Sequence, residues 1–148
     1  LGRRGTPRKL GVPGEDLSKV MYKLIDAESY QEQKLLVVGG GDSAIEASIG
    51  LASQPGNRVT ISYRKPNFFR LKAHNEQNIQ RFLKEKKLQA LFNSNVKEIT
   101  PESVRLEQEG QAVQIENDYV FIFAGGELPF PLLNAIGIEF GKKVEAKV

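Results

Sequence analysis

The sequence predicts an α/β fold, a Rossmann-like parallel sheet flanked by helices, with a small antiparallel β-meander inserted before the last strand. Three observations carry this expectation. Short apolar runs at Leu35–Val38, Val59–Tyr63, Leu88–Phe92 and Tyr119–Phe123 are long enough for buried strands and too short for helices. Helical patterns lie between the first three of them. Three short alternating segments, Val96–Ile99, Ser103–Glu107 and Ala112–Glu116, are broken by Thr100-Pro101 and Glu109-Gly110, as a meander would be.

In chain order, residues 1–16 read "LGRRGTPRKLGVPGED", punctuated by glycine and proline, and are expected to form an interdomain arm or hinge. Its cations Arg3, Arg4, Arg8 and Lys9 are expected to be solvated. Residues 17–148 form the expected nucleotide-binding domain. Ser18–Tyr30 carries Met21, Tyr22 and Ile25 near helical spacing, which suggests a helix. After the strand Leu35–Val38, Asp42 or Ser43 is placed to cap a helix continuing through Ala44, Ile45, Ala47, Ser48, Leu51 and Ala52. Pro55-Gly56-Asn57 marks a turn into Val59–Tyr63. Phe69–Lys87 reads as an amphipathic helix with Ile79, Phe82 and Leu83 on its apolar side.

The 148 residues suffice for one domain with a real core. The net charge of +3 does not by itself point to nucleic acid, and a phosphate-bearing small molecule suits it equally well. With no cysteine, disulfides and thiol catalysis within this chain are excluded. No apolar run reaches the length of a membrane span. A cytoplasmic setting is expected. Leu1 is not an initiator methionine, so the sequence is expected to begin within a longer protein.

The chemistry concentrates at Gly39-Gly40-Gly41-Asp42-Ser43-Ala44. This stretch fits G-x-G-x-x-A, directly after a predicted strand and at the start of a predicted helix. Gly39 allows the tight turn, Gly41 lets backbone approach a pyrophosphate, and Ala44 keeps helix and sheet close. A helix start offers amides and a positive dipole end, so no cationic side chain is needed there. The plain alternative is a glycine turn without a ligand. Ser43 is not set in a G-x-S-x-G elbow, and His74, the one histidine, lies in a polar stretch that reads as surface.

NAD-binding domains place a carboxylate near the end of the second strand, where it holds the ribose 2′-hydroxyl. Here that region reads "ISYRKPNFFR", with Tyr63, Arg64, Lys65 and Arg70 and no acid. Cations suit a 2′-phosphate, and a guanidinium grips one bidentately. The inference is NADPH over NADH, with Tyr63 a candidate to stack on adenine. A solvated basic turn is the alternative. Phe68 and Phe69 are expected to pack beneath this loop, with a face toward a partner domain as the alternative.

The stretches "GVPGE", "VVGGGDSAIEA", "VTISYRK" and "VFIFAGGELPFPLL" occur in the order seen in the pyridine nucleotide-disulfide oxidoreductase superfamily, and the chain most resembles the NADPH domain of its thioredoxin-reductase-like flavoproteins. The resemblance implies that NADPH docks here and passes hydride to FAD held by a second domain of the same full-length chain. It assigns Gly39, Gly40, Gly41, Asp42, Ser43 and Ala44 to the pyrophosphate turn, Glu46 to the nicotinamide side, and Arg64, Lys65 and Arg70 to the 2′-phosphate. Ala124, Gly125 and Gly126 match the strand end close to the nucleotide. An exposed helical glutamate and a simple turn are the plain readings of Glu46 and of that trio. No acid, base or nucleophile is then required of this chain, and the isolated domain is expected to be inactive.

Two departures stand out. The interval "DLSKVMYKLIDAESYQEQK" lacks the C-x-x-C of thioredoxin reductases, which favours a ferredoxin–NADP reductase-like or other non-dithiol branch. The second arginine of the 2′-phosphate loop is Lys65 here, and Arg70 lies one residue further on than in typical relatives. Phe130, Leu132 and Leu133 are candidates to meet the flavin domain. The electron acceptor is unknown, a homodimer is a candidate assembly, and neither nucleic acid nor membrane is an expected partner. The competing functions are a non-catalytic NAD(P)H-sensing module and a methyltransferase-like domain, the latter disfavoured by the basic end of the second strand.

Overall fold

The fold comes from a computed structural model, which describes residues 9–123. Five parallel strands form the main sheet: β1 (Val20–Met21), β2 (Lys34–Val38), β3 (Arg58–Ser62), β4 (Gln89–Leu91) and β8 (Tyr119–Ile122), in the order β1-β8-β2-β3-β4. Helix α1 (Asp42–Ala52) connects β2 to β3, and α2 (Ala73–Lys84) connects β3 to β4. Strands β5 (Ser94–Ile99), β6 (Ser103–Gln108) and β7 (Gln111–Glu116) form a separate antiparallel sheet. This is the predicted α/β class with its meander.

The two faces of the main sheet bury different partners. Leu35, Val37, Ile61 and Phe121 pack with Ile45 and Leu51 of α1 and Ile79 and Phe82 of α2. On the opposite face, Leu36, Val120 and Ile122 meet Val96, Ile99, Val104 and Leu106 of the meander. A strand buried on both faces reads as an unbroken apolar run, which is why β2 and β8 were visible in the sequence.

Three expectations need correction. Ser18–Tyr30 is not a helix. Val20 and Met21 pair in parallel with Val120 and Phe121, and only Ala27–Ser29 turns, as a 3-10 helix capped by Asp26. The open edge of β8 offers this segment ladder bonds, and Ile25, one of the supposed helical contacts, is 86% exposed. The helix expected from Phe69 starts at Ala73, because Arg70 holds a left-handed backbone (φ 57°) that ends any helix there. The N-cap of α1 is Gly41 rather than Asp42 or Ser43, and no side chain caps it.

The arm, over its described part, is anchored rather than loose. Glu15 is buried and its carboxylate accepts hydrogen bonds from the amides of Leu10 (2.7 Å) and Gly11 (2.6 Å) and from the Tyr22 hydroxyl (2.7 Å). Pro13 accepts from the Ile99 amide at 2.8 Å, and a side chain at Gly14 would collide with the Ile99 carbonyl. The Lys19 ammonium donates to the carbonyls of Thr100 (2.6 Å) and Asn117 (3.3 Å), tying the start of β1 to the β5–β6 turn and to the residue that follows β7. Burial pushes that lysine below its ordinary value, while Asp118 opposes the shift. Of the arm cations, Lys9 is exposed and Arg3, Arg4 and Arg8 lie outside the described residues.

Burial raises the Glu15 carboxyl, but donation from Leu10, Tyr22, Gly11 and Val12 outweighs it and holds the group below 4.5. Its share of stability is therefore complete above the unfolded value near 4.5 and drains as pH falls below it. Glu15→Gln is expected to cost about 2 kcal/mol in urea unfolding at pH 7. Its deficit against wild type should shrink as pH falls below 4.5.

Candidate functional site

Parallel pairing sets the site. Strand β2 lies beside β3 in the register Lys34↔Arg58 through Val38↔Ser62, so both chains leave the sheet at one edge. The chain leaves β2 through the glycine turn and leaves β3 through Tyr63-Arg64-Lys65. The Gly39 amide donates to the Ser62 carbonyl at 3.0 Å and stitches the two exits together.

The three glycines of the turn differ in what the protein requires of them. Gly39 has φ 133°, a backbone that side chains rarely adopt. At Gly40 an added Cβ would lie 2.5 Å from the Tyr63 ring. At Gly41 it would meet nothing within 4 Å, so the protein's own packing gives no reason for a glycine there. The first helical bond of α1 runs from the Ile45 amide to the Gly41 carbonyl at 3.0 Å. The amides of Asp42, Ser43 and Ala44 precede it and have no partner within the helix. Ala44 is 1% exposed, sealed between helix and sheet, whereas Ser43 is exposed.

The basic loop divides. Tyr63 is 6% exposed and stacks on Phe68 (centroids 5.9 Å apart, planes at 21°), which meets Phe92 edge-on. Its ring thus forms a buried wall behind Gly40. Arg64 is exposed immediately beyond it, and Gly39, Tyr63 and Arg64 line one cavity of about 150 Å³ with Leu10, Asn95 and Val96. The Lys65 ammonium lies 5.8 Å from the Phe69 ring centre, and Phe69 is exposed rather than packed beneath the loop. Arg70 is exposed further along. His74 is exposed. Ala124, Gly125 and Gly126, with Phe130, Leu132 and Leu133, lie outside the described residues.

Asp42 and Glu46, both assigned to the nucleotide side, touch helix α2. Asp42 Oδ1 accepts from the Lys72 amide (2.9 Å) and from Asn75 Nδ2 (2.8 Å), and the same nitrogen donates to Glu46 Oε2 (2.9 Å). Asn75 is 2% exposed. Its role had no local signal, since a lone asparagine in "KAHNEQN" reads as a polar surface residue. Leu10 and Asn95 were equally invisible, because only the tertiary fold brings the arm and the meander to the cavity.

A wider recess of about 780 Å³, lined by Lys34, Arg58, Lys86 and Lys87, lies at the opposite ends of the strands. In open α/β sheets ligands sit at the carboxyl ends, which favours the smaller cavity beside the glycine turn. Among the described residues there is no group of three or more histidines or acids able to hold a metal, and no helix long and apolar enough to cross a membrane.

A parallel α/β sheet with a glycine turn between its central strand and first helix defines a Rossmann-like domain. The chain belongs to the family described as pyridine nucleotide-disulphide oxidoreductase, which it matches over residues 1–147. It is 30% identical over 139 residues to the bacilliredoxin reductase Bdr of Bacillus subtilis, covering 93% of this chain and 43% of that protein. It is 41% identical over 68 residues to a ferredoxin–NADP reductase of Ignicoccus hospitalis, covering 46% of this chain and 22% of the relative. Its structure is similar to the bacillithiol disulfide reductase Bdr (YpdA) of Staphylococcus aureus, with a TM-score of 0.78 and 33% identity over 89% of this chain and 41% of that one. The chain thus spans less than half the length of these relatives.

Gly40→Ala is expected to cost about 1–3 kcal/mol by forcing the Tyr63 ring out of its place. Measured in a Tyr63→Ala background by urea unfolding, the cost should fall, since the two residues share one contact.

Proposed function

We propose that this chain binds NADPH and orients its nicotinamide toward a flavin carried by another domain of the full-length protein. The observation that supports this most directly is Gly41. Its Cβ position is open space at the head of α1, so the glycine suits close approach by something other than the protein itself. The amides of Asp42, Ser43 and Ala44 are the groups that would hold the diphosphate. Arg64 and Lys65, at the same sheet edge, would hold the 2′-phosphate, with Arg70 as a further cation nearby in sequence. Tyr63 serves this site as a wall behind the turn. Relatives that are ferredoxin–NADP reductases support the choice of NADP. Hydride chemistry is supplied by nicotinamide and flavin when bound; the chain's own residues bind and orient.

Titration with both nucleotides tests the reading. Wild type should bind NADPH more tightly than NADH, and a preference for NADH would overturn the assignment. Gly41→Ala should unfold within about 1 kcal/mol of wild type, because only the helix cap is altered, yet bind NADPH at least about tenfold more weakly. Arg64→Ala should weaken NADPH more than NADH. A full-length protein whose visible absorbance bleaches anaerobically with NADPH would support the flavin partner, and a colourless one would eliminate it.

A further inference from the structure

Two carboxylates four residues apart on α1, Asp42 and Glu46, meet on one face of the helix, where like charges repel. Both accept hydrogen bonds from one buried nitrogen, Nδ2 of Asn75, at 2.8 and 2.9 Å. Ionised carboxylates only accept, so both amide hydrogens are committed to them. Asp42 also accepts from the Lys72 amide, where the β3–α2 loop enters α2. The loop that ends there carries Arg64, Lys65 and Arg70, and the helix held at the other side begins at Asp42, directly after Gly41. Asn75 therefore bridges the two elements that carry the two phosphate-binding groups.

We propose that Asn75 is a positioning residue that sets the placement of the basic loop against the glycine turn, and through it the preference for the 2′-phosphate. This rests on the NADPH reading above. Asn75→Asp keeps the shape, but removes both donors and brings a third carboxylate against Asp42 and Glu46.

The test measures NADPH and NADH dissociation constants of the 148-residue chain at pH 8 for wild type, Asn75→Asp, Asn75→Ala and the exposed-site control Gln77→Ala. Thermal unfolding shows which variants are folded at the assay temperature. Asn75→Asp is expected to lose about tenfold in NADPH affinity at pH 8 while NADH binding changes much less. Asn75→Ala should likewise lose NADPH preference, and Gln77→Ala should keep it. Equal losses for both nucleotides, or unchanged preference in both folded Asn75 variants, would overturn the proposal and leave the NADPH reading intact. A wild-type chain that binds NADPH no better than NADH would overturn both.

Discussion

The parallel alignment of β2 with β3 is the constraint on which the candidate site depends. Register runs from Lys34↔Arg58 to Val38↔Ser62 without a slip, so the two strands end level. A slip of one residue would turn every side chain of one strand to the other face. It would also move Tyr63 off Gly40 and separate the glycine turn from Arg64. The register is enforced from both faces, because Leu35 and Val37 belong to the helix-side core while Leu36 belongs to the meander-side core. Strand β8 on the other flank of β2 adds the pairs Leu35↔Tyr119 through Val38↔Ile122. The centre of the sheet is therefore the most over-determined part of the molecule, and the candidate site hangs from its edge.

The meander has a second task beyond covering the sheet. It gives the arm a surface to dock on, through the Pro13–Ile99 bond and the contacts of Leu10 and Val12. Glu15 then closes the arm on itself by collecting neighbouring amides and the Tyr22 hydroxyl. A carboxylate with several donors fixes a bend better than apolar contact, because each bond has a direction. The arm residue Leu10 reaches the cavity beside the glycine turn by this route. Whatever the arm connects to, its described end is registered against the same edge of the sheet as Arg64.

Much of this was legible from local pattern. Unbroken apolar runs gave β2 and β8 and the segment Val59–Tyr63 gave β3, each to within a residue or two, and three alternating segments gave the meander. The glycine turn was legible as a G-x-G-x-x-A pattern between a strand and a helix, with Gly39 answering a backbone requirement and Gly40 a contact with Tyr63. Other features were set by partners remote in the chain. Val20–Met21 became a strand because β8 needed a neighbour, which no periodicity within residues 18–30 encodes. Helix α2 starts late because Arg70 occupies a left-handed backbone, a state that nothing in its side chain advertises. The amide of Asn75 bridges residues 29 and 33 positions away, so its role lies in tertiary geometry alone.

Charge balance around α1 follows from the same geometry. A carboxylate in the first turn of a helix is favoured by the positive end of the dipole. The same carboxylate would oppose an incoming diphosphate, since like charges a few ångströms apart interact by a few kcal/mol at the effective dielectric of a protein surface, roughly 4 at 4 Å. Asp42 sits in that first turn, and its Oδ1 oxygen is satisfied by Lys72 and Asn75 of the neighbouring helix. Those bonds draw the negative charge toward α2 and spread it over two donors. The amides of Asp42, Ser43 and Ala44 lie in the first turn of α1 and have no partner within the helix. An acidic residue in the first turn of a helix is thus compatible with an anion at that helix end when the adjacent helix, rather than the anion, receives its charge.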